Sequence, residues 1–286
     1  MRIFVCFLTV FLLFTSCVKN NPDPAWLEVK EWTLQANPDL VNIEGELSHN
    51  FTDAWVFVND KVIGVFEVPF KIPILQSGNC NIKLYPAVRN NGISGTKKIY
   101  PFVEKFEINT ELIQNKTLTI EPVTKYSSYA QFWIEDFEDA ALKINTDATS
   151  ADTMIVGNDP QIMKWNRYGI VTLNNIDTNW VAYTTDELAL PKGQEVYWEI
   201  DYYNTNAVTT GVIALSNSSA PKNNEYIRLN AQNPSSVKWK KVYLDLKEIV
   251  TNSSGSNSFL MSFQSKLDDG DSEGIIVIDN IKVIHF

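Results

Sequence analysis

Almost every stretch of the chain alternates apolar and polar residues with a period of two. In VYWEIDYYN, Val196, Trp198, Ile200 and Tyr202 share one parity, and Tyr197, Glu199, Asp201 and Tyr203 share the other. Successive side chains of a strand point to opposite faces of its sheet, so such a stretch lays one face on a core and turns the other away. No apolar stripe at helical spacing extends beyond a turn or two; LKEIV at 246–250 is the best short candidate. Clusters of Asn, Asp, Gly, Pro and Ser separate the strand-like runs, the punctuation of sandwiches and barrels. The expected class is therefore all-β. A chain of 286 residues, 44% hydrophobic and 12% aromatic, has the length for two domains and the apolar surface for two cores.

The first sixteen residues read as a targeting segment. Arg2 gives a weakly positive start, and residues 3–14 are apolar apart from Thr9. That run is short of the roughly 20 residues a membrane span needs and fits the apolar region of a signal peptide. Thr15, Ser16 and Cys17 follow. Two small residues before a cysteine resemble the lipobox of bacterial lipoproteins, with Phe14 where that family prefers leucine. The resemblance implies that Cys17 becomes the lipidated first residue and that residues 17–24 are a tether. No aspartate follows Cys17 directly, which by enterobacterial-type sorting implies the outer membrane, in either leaflet. An ordinary signal peptide with an incidental cysteine is the alternative.

Two domains are expected beyond the tether. Over 25–123, Trp55 and Phe57 precede Asn59-Asp60, a two-residue hairpin turn, and Gly64 permits a bulge. SGNCNIKLYPAV and RNNGISGTKKIYPF continue the pattern. This order resembles immunoglobulin-like or transthyretin-like sandwiches of bacterial surface proteins. VFVNDKVIG with LYPAVRNNGIS and YPF resembles uncharacterised outer-membrane lipoproteins of Bacteroidota. Over 127–286, the chain opens with QFWIEDFEDA and closes with IIVIDNIKVIHF. That pairing resembles carbohydrate-binding modules of the galactose-binding-like jelly-roll type, with KWKKVYLDL and VYWEIDYYN as middle strands. In that fold the first and last strands are neighbours, which implies that the C-terminal strand is stitched into a sheet.

Little in the sequence suggests catalysis. The two histidines, His49 and His285, lie far apart, and HExxH, GxSxG, P-loop and GxGxxG are all missing. A zinc site needs three or four N or S ligands, and a histidine triad needs a histidine beside its nucleophile. No enzyme is expected. Cys6 leaves with the signal and Cys17 takes lipid, so no intramolecular disulfide is expected; Cys80 shares parity with Ile82 and Leu84 and reads as core. The net charge is −10 and no basic run stands out, so nucleic acid is not an expected partner.

Two sites are expected in the second domain. The jelly-roll resemblance implies a structural Ca2+ held by Asp136, Glu138 and Asp139 of the opening stretch with Asp279 of the closing one, hard oxygen donors of the kind calcium takes. Solvated strand-end acids beside a bulge at Asp279-Asn280 are the alternative. The second site rests on parity. Once the core set of three strands is assigned, the outward residues include Asn230, Lys241 and Asp245 and the expected ligand set Tyr197, Glu199, Asp201, Tyr203, Tyr226, Arg228, Trp239 and Tyr243. Rings beside carboxylate, amide and cation suit a sugar, the rings covering C–H faces and the polar groups taking hydroxyls. The same rings would also serve as cross-strand pairs, or be covered by loops or by the first domain. The expected protein is a lipid-anchored envelope protein that binds a glycan; a structural or assembly subunit that contacts envelope protein partners is the alternative.

Overall fold

The computed structural model describes residues 23–217, 220–256 and 258–286; the segment expected to target the chain, with Cys17, lies outside the described residues. The first half holds β1 (Ala25–Val29), β2 (Thr33–Leu34), β3 (Asp53–Val58), β4 (Lys61–Glu67), β5 (Phe70–Ile74), β6 (Gly78–Arg89), β7 (Lys97–Ile99), β8 (Phe106–Leu112), β9 (Thr117–Ile120) and β10 (Val123–Thr124). The second holds β11 (Gln131–Glu135), β12 (Ile144–Thr146), β13 (Ile155–Gly157), β14 (Tyr168–Asn174), β15 (Asn179–Thr184), β16 (Val196–Asn204), β17 (Val208–Leu215), β18 (Lys222–Leu229), β19 (Lys240–Asp245), β20 (Ser258–Lys266) and β21 (Glu273–His285). The short apolar run after β19 is the helix α1, Lys247–Asn252.

The strands form an all-β molecule of two sandwiches. In the first, the sheet β5-β1-β9 faces the sheet β4-β3-β6-β7, with β8 also on β6. Asn59 and Asp60 form the β3–β4 turn with φ of +49° and +62°, the left-handed geometry that makes a two-residue turn follow the strand twist. Gly64 sits at a register shift between β3 and β4. A Cβ there would lie 2.9 Å from the Phe66 ring, so any larger residue would have to displace that ring. Cys80 is buried in this core.

In the second sandwich, β13-β14-β21-β16-β19 form one sheet and β12-β15-β20-β17-β18 the other. The closing strand β21 runs between β16 on one side and β14 and then β11 on the other. Opening and closing strands are thus antiparallel neighbours, with Gln131 opposite His285 and Glu135 opposite Ile281. The parity of β21 changes once. Ile276 and Ile278 face the sandwich core, and so do Ile281 and Val283. The extra residue lies at a bulge where Asn280 takes φ +51°. Bulges of this kind re-aim the side chains of a strand.

Two apolar cores result. The second contains Val196, Trp198 and Ile200 of β16, Val242 and Leu244 of β19, and Trp180 and Phe263 of the facing sheet. The first contains Leu27, Val56, Ile82, Tyr100 and Phe102, and it also takes in Tyr197, Tyr243 and Ile284 from the second sandwich. The sandwiches therefore share one continuous apolar contact. Truncating a buried isoleucine to alanine costs about 2–5 kcal/mol. Ile284→Ala is expected to lower the urea midpoint of the whole protein in a single transition seen alike by tryptophan fluorescence and far-UV circular dichroism. Two separated transitions in the parent protein would contradict the shared core.

Candidate functional site

Antiparallel pairing sets Glu199 opposite Tyr243, Asp201 opposite Lys241 and Tyr197 opposite Asp245. Alternation then places Tyr197, Glu199, Asp201, Lys241 and Tyr243 on the face turned away from the second core, where Lys282 and Ile284 of β21 join them. The first sandwich lies on this face. Tyr100 meets Tyr197 edge-on at 5.3 Å and Tyr243 at 5.0 Å between ring centroids, and Phe102 meets Tyr197 at 6.0 Å. Tyr197, Glu199 and Asp201 are 0% exposed and Tyr243 is 2% exposed. The expectation of an open ring-bearing face is corrected for these four: the parity is as read, but the face is an interface.

Most polar groups of the face find partners within it, although Asp201 Oδ1 and Asn280 Oδ1 are buried without a hydrogen bond. The Lys241 ammonium lies 2.8 Å from Glu199 Oε2, 3.2 Å from Asp201 Oδ2 and 2.8 Å from Ser48 Oγ. Burial alone would lower its pKa; Asp201 and Glu199 outweigh burial and hold it above the ordinary lysine value. Glu199 also accepts the phenol protons of Tyr100 and Tyr126, and Asp201 accepts from Ser48. Lys282 donates to the carbonyls of Glu44 and Glu46 at 2.5 and 2.6 Å. Burial and the nearby Lys241 push its pKa down to about 8. Asp279 is buried beside Asp201, and burial first, then that neighbour's charge, pushes its pKa up to about 8.

The remaining expected ligand residues are divided. Tyr226 and Arg228 stand on β18, in the other sheet from β16 and β19. Arg228 is exposed and pairs with Asp268 at 3.1 Å. Tyr203 and Trp239 do meet, at 6.1 Å between ring centroids, and Trp165 packs on Trp239 at 6.3 Å. The four acids expected to hold calcium are divided as well. Glu138 pairs with Arg167, Asp139 with Lys143, and the Asp136 carboxylate accepts the Glu138 amide. The Asp279 carboxyl accepts from the Asn280 amide at 2.7 Å. Among the described residues, no three His, Cys, Asp or Glu side chains gather so as to hold a metal ion. The acids make contacts within the protein in this arrangement, and the charges of Asp136 and Glu138 add to the raised pKa of Asp279.

Where the sandwiches meet, two clefts remain, separated by the β6–β7 turn. That turn docks on β19. The Asn91 amide donates to the Tyr243 carbonyl at 2.9 Å, and Asn91 Oδ1 accepts from the Asp245 amide at 2.8 Å. One cleft, of about 700 Å³, has a mixed polar lining that includes Asn90, Glu195, Tyr226, Asp245 and Lys247. The other, of about 570 Å³, is lined by His49, Asn50, Arg89, Gly92, Lys164, Tyr202, Lys238, Trp239, Lys240, Lys241, Val242 and Tyr243. The Trp239 indole donates to the Ile162 carbonyl at 2.7 Å, which fixes the ring at the cleft wall. Both volumes fall in the range of small-ligand sites. Of the residues expected from sequence, Trp239, Lys241 and Tyr243 line this cleft, whereas Arg89, Lys164, Lys238 and Lys240 were not expected there. Only KWKK at 238–241 is visible locally; Arg89 and Lys164 arrive from other elements.

No known family matches the chain, and no curated protein matches it. Similar solved structures include a family 28 carbohydrate-binding module specific for non-crystalline cellulose, with 14% identity over 51% of this chain and 90% of that one and a TM-score of 0.38. Another is a family 11 carbohydrate-binding module from Clostridium thermocellum in complex with a β-1,3-1,4-mixed-linked tetrasaccharide, with 15% identity, coverage of 53% and 94%, and a TM-score of 0.36. A third is the enzymatically active domain of bacteriophage CBA120 tailspike protein 4, of which this chain spans 20%, with 11% identity over 53% of this chain and a TM-score of 0.37. Similarity this slight assigns neither ligand nor activity.

The interface itself carries a pH dependence. Asp279 titrates at about 8 in the fold and at about 3.9 unfolded. Between those values the folded state holds the extra proton, so stability falls as pH rises through this window. Lys282 titrates at about 8 in the fold and at about 10.4 unfolded. There the unfolded state holds the extra proton, so stability rises again through the higher window. Thermal melts from pH 4 to 10 are expected to show a minimum near pH 8. Asp279→Asn should remove the falling limb and leave the rising one; an unchanged profile would refute the assignment to Asp279.

Proposed function

We propose that this is a non-catalytic, lipid-anchored envelope protein that binds a glycan in the cleft walled by Trp239. The reading rests on one observation: the cleft combines the rings of Trp239 and Tyr202 with Asn50, His49 and several amino groups in a concavity of about 570 Å³. Rings cover the apolar faces of a pyranose, and fixed donors around them take hydroxyl and ring oxygens. The wall is also held in place. Tyr203 and Trp165 brace Trp239, and the Asn50 amide donates to the Tyr243 hydroxyl at 2.8 Å. A preformed wall reduces the ordering that binding requires. The two buried carboxylates closest to the cleft, Glu199 and Asp201, are engaged by Lys241, the tyrosines and Ser48, which favours binding over acid–base work.

The assembly reading keeps one observation in its favour. Strand β4 lies at a sheet edge and exposes Val62 and Ile63, and an uncovered strand edge is a template for pairing with another chain.

Two outcomes are expected. In calorimetric titration against a panel of neutral and acidic polysaccharides, Trp239→Ala should weaken the best ligand by about 1–3 kcal/mol, the scale of ring stacking. Retention of full affinity would remove the cleft from the function. Cys17→Ser should shift the protein from the membrane fraction to a soluble or unprocessed form. An unchanged membrane fraction, together with a parent N-terminus free of acyl chains by mass spectrometry, would refute the anchor.

A further inference from the structure

The two clefts flank the same turn and are similar in size, yet they differ in charge. In the larger one, Glu195, Asp245 and Glu248 balance Lys98 and Lys247, and ion pairs of 2.8–2.9 Å tie Lys98 and Lys247 to Glu195 and Lys98 to Asp245. The Trp239 cleft has Arg89, Lys164, Lys238, Lys240 and Lys241 in its lining, with His49, and no acidic residue. Its cations are only partly answered from behind. Glu67 pairs with Arg89, Asp201 with Lys164 and Lys241, and Glu199 with Lys241. Among the described residues Lys238 and Lys240 have no ion-pair partner, and both are exposed. In a chain of net charge −10, a concavity with cations to spare does not follow from composition.

We infer that the Trp239 cleft takes an acidic saccharide, one bearing uronate carboxylates or sulfate esters, in preference to a neutral one. This rests on the glycan reading above and adds to it the charge of the ligand. Lys238 and Lys240 line the same concavity as Trp239, so a sugar lying on the ring brings its anionic substituent near them. Arg89, from β6 of the first sandwich, also lines the cleft, with its guanidinium paired to Glu67. Because both lysines are exposed, their attraction for an anionic sugar is screened by salt. Two spare lysines suit a short acidic oligosaccharide. They are too few for a nucleic acid, which tight binders hold through a track of about 6–10 phosphate contacts. His49 in the same lining has its pKa lowered, by burial first and then by the charge of Lys241, with Lys164 adding to it and Glu199 and Glu31 opposing it.

The full-length protein would be titrated with oligogalacturonate, a sulfated oligosaccharide, neutral xylohexaose, a polyphosphate and a single-stranded oligonucleotide, at low and high salt. The Lys238→Gln/Lys240→Gln double variant tests the charge, and Trp239→Ala tests the ring. The expected result is binding of at least one acidic saccharide with little of the neutral one. That affinity should fall about tenfold in the double variant and fall again at high salt, with the melting temperature unchanged because both lysines are exposed. Equal affinity for neutral and acidic saccharides, or an acidic ligand indifferent to the double variant, would overturn the charge inference and leave the glycan reading intact. Equal binding of polyphosphate or oligonucleotide would overturn both, and so would binding of nothing in the panel.

Discussion

The Lys241 ammonium, closed off from water between Glu199 and Asp201, is the point on which the two sandwiches register. Burying a charged triad is expensive unless every member is paired. Here the partners come from both halves: Tyr100, Tyr126 and Ser48 from the first, and the three charged residues from the second. A shift of either sandwich by one strand spacing would strand a charge in a low-dielectric contact. The surrounding rings supply attraction without much direction, whereas this cluster supplies direction. It fixes where the β6–β7 turn lands on β19, and so it fixes the two clefts on either side of that turn.

The alternation of β16 and β19 was legible residue by residue, because a strand's period of two does not depend on what covers its outer face. The inward set packs in the second core as the pattern requires. What covers the outward set was not legible. Tyr197, Glu199, Asp201 and Tyr243 look alike in sequence whether water, sugar or a second domain lies above them. The unusual richness of that face in rings and charges was a real signal, and its cause is the interface. The bulge at Asp279-Asn280 was suggested by two turn-prone residues inside an apolar strand, and the strand does shift register there.

The cationic cleft was hidden for a different reason. Arg89 lies about 150 positions before Lys241, and Lys164 comes from a loop between β13 and β14. Only a three-dimensional arrangement sums such charges. Local composition pointed the other way, since acids outnumber bases along the whole chain. Trp239 was picked out correctly as a ring without a core role, but its neighbours in space are not its neighbours in sequence.

Ile284 belongs to the hydrophobic core of the first sandwich, although it sits in the strand that completes the second. Synthesis is vectorial, so residues 25–123 emerge long before the side chain that closes over them. Neither half can reach its final packing while β21 is still missing. The apolar face that the first sandwich turns to β16, β19 and β21 is therefore left partly uncovered until those strands have been made.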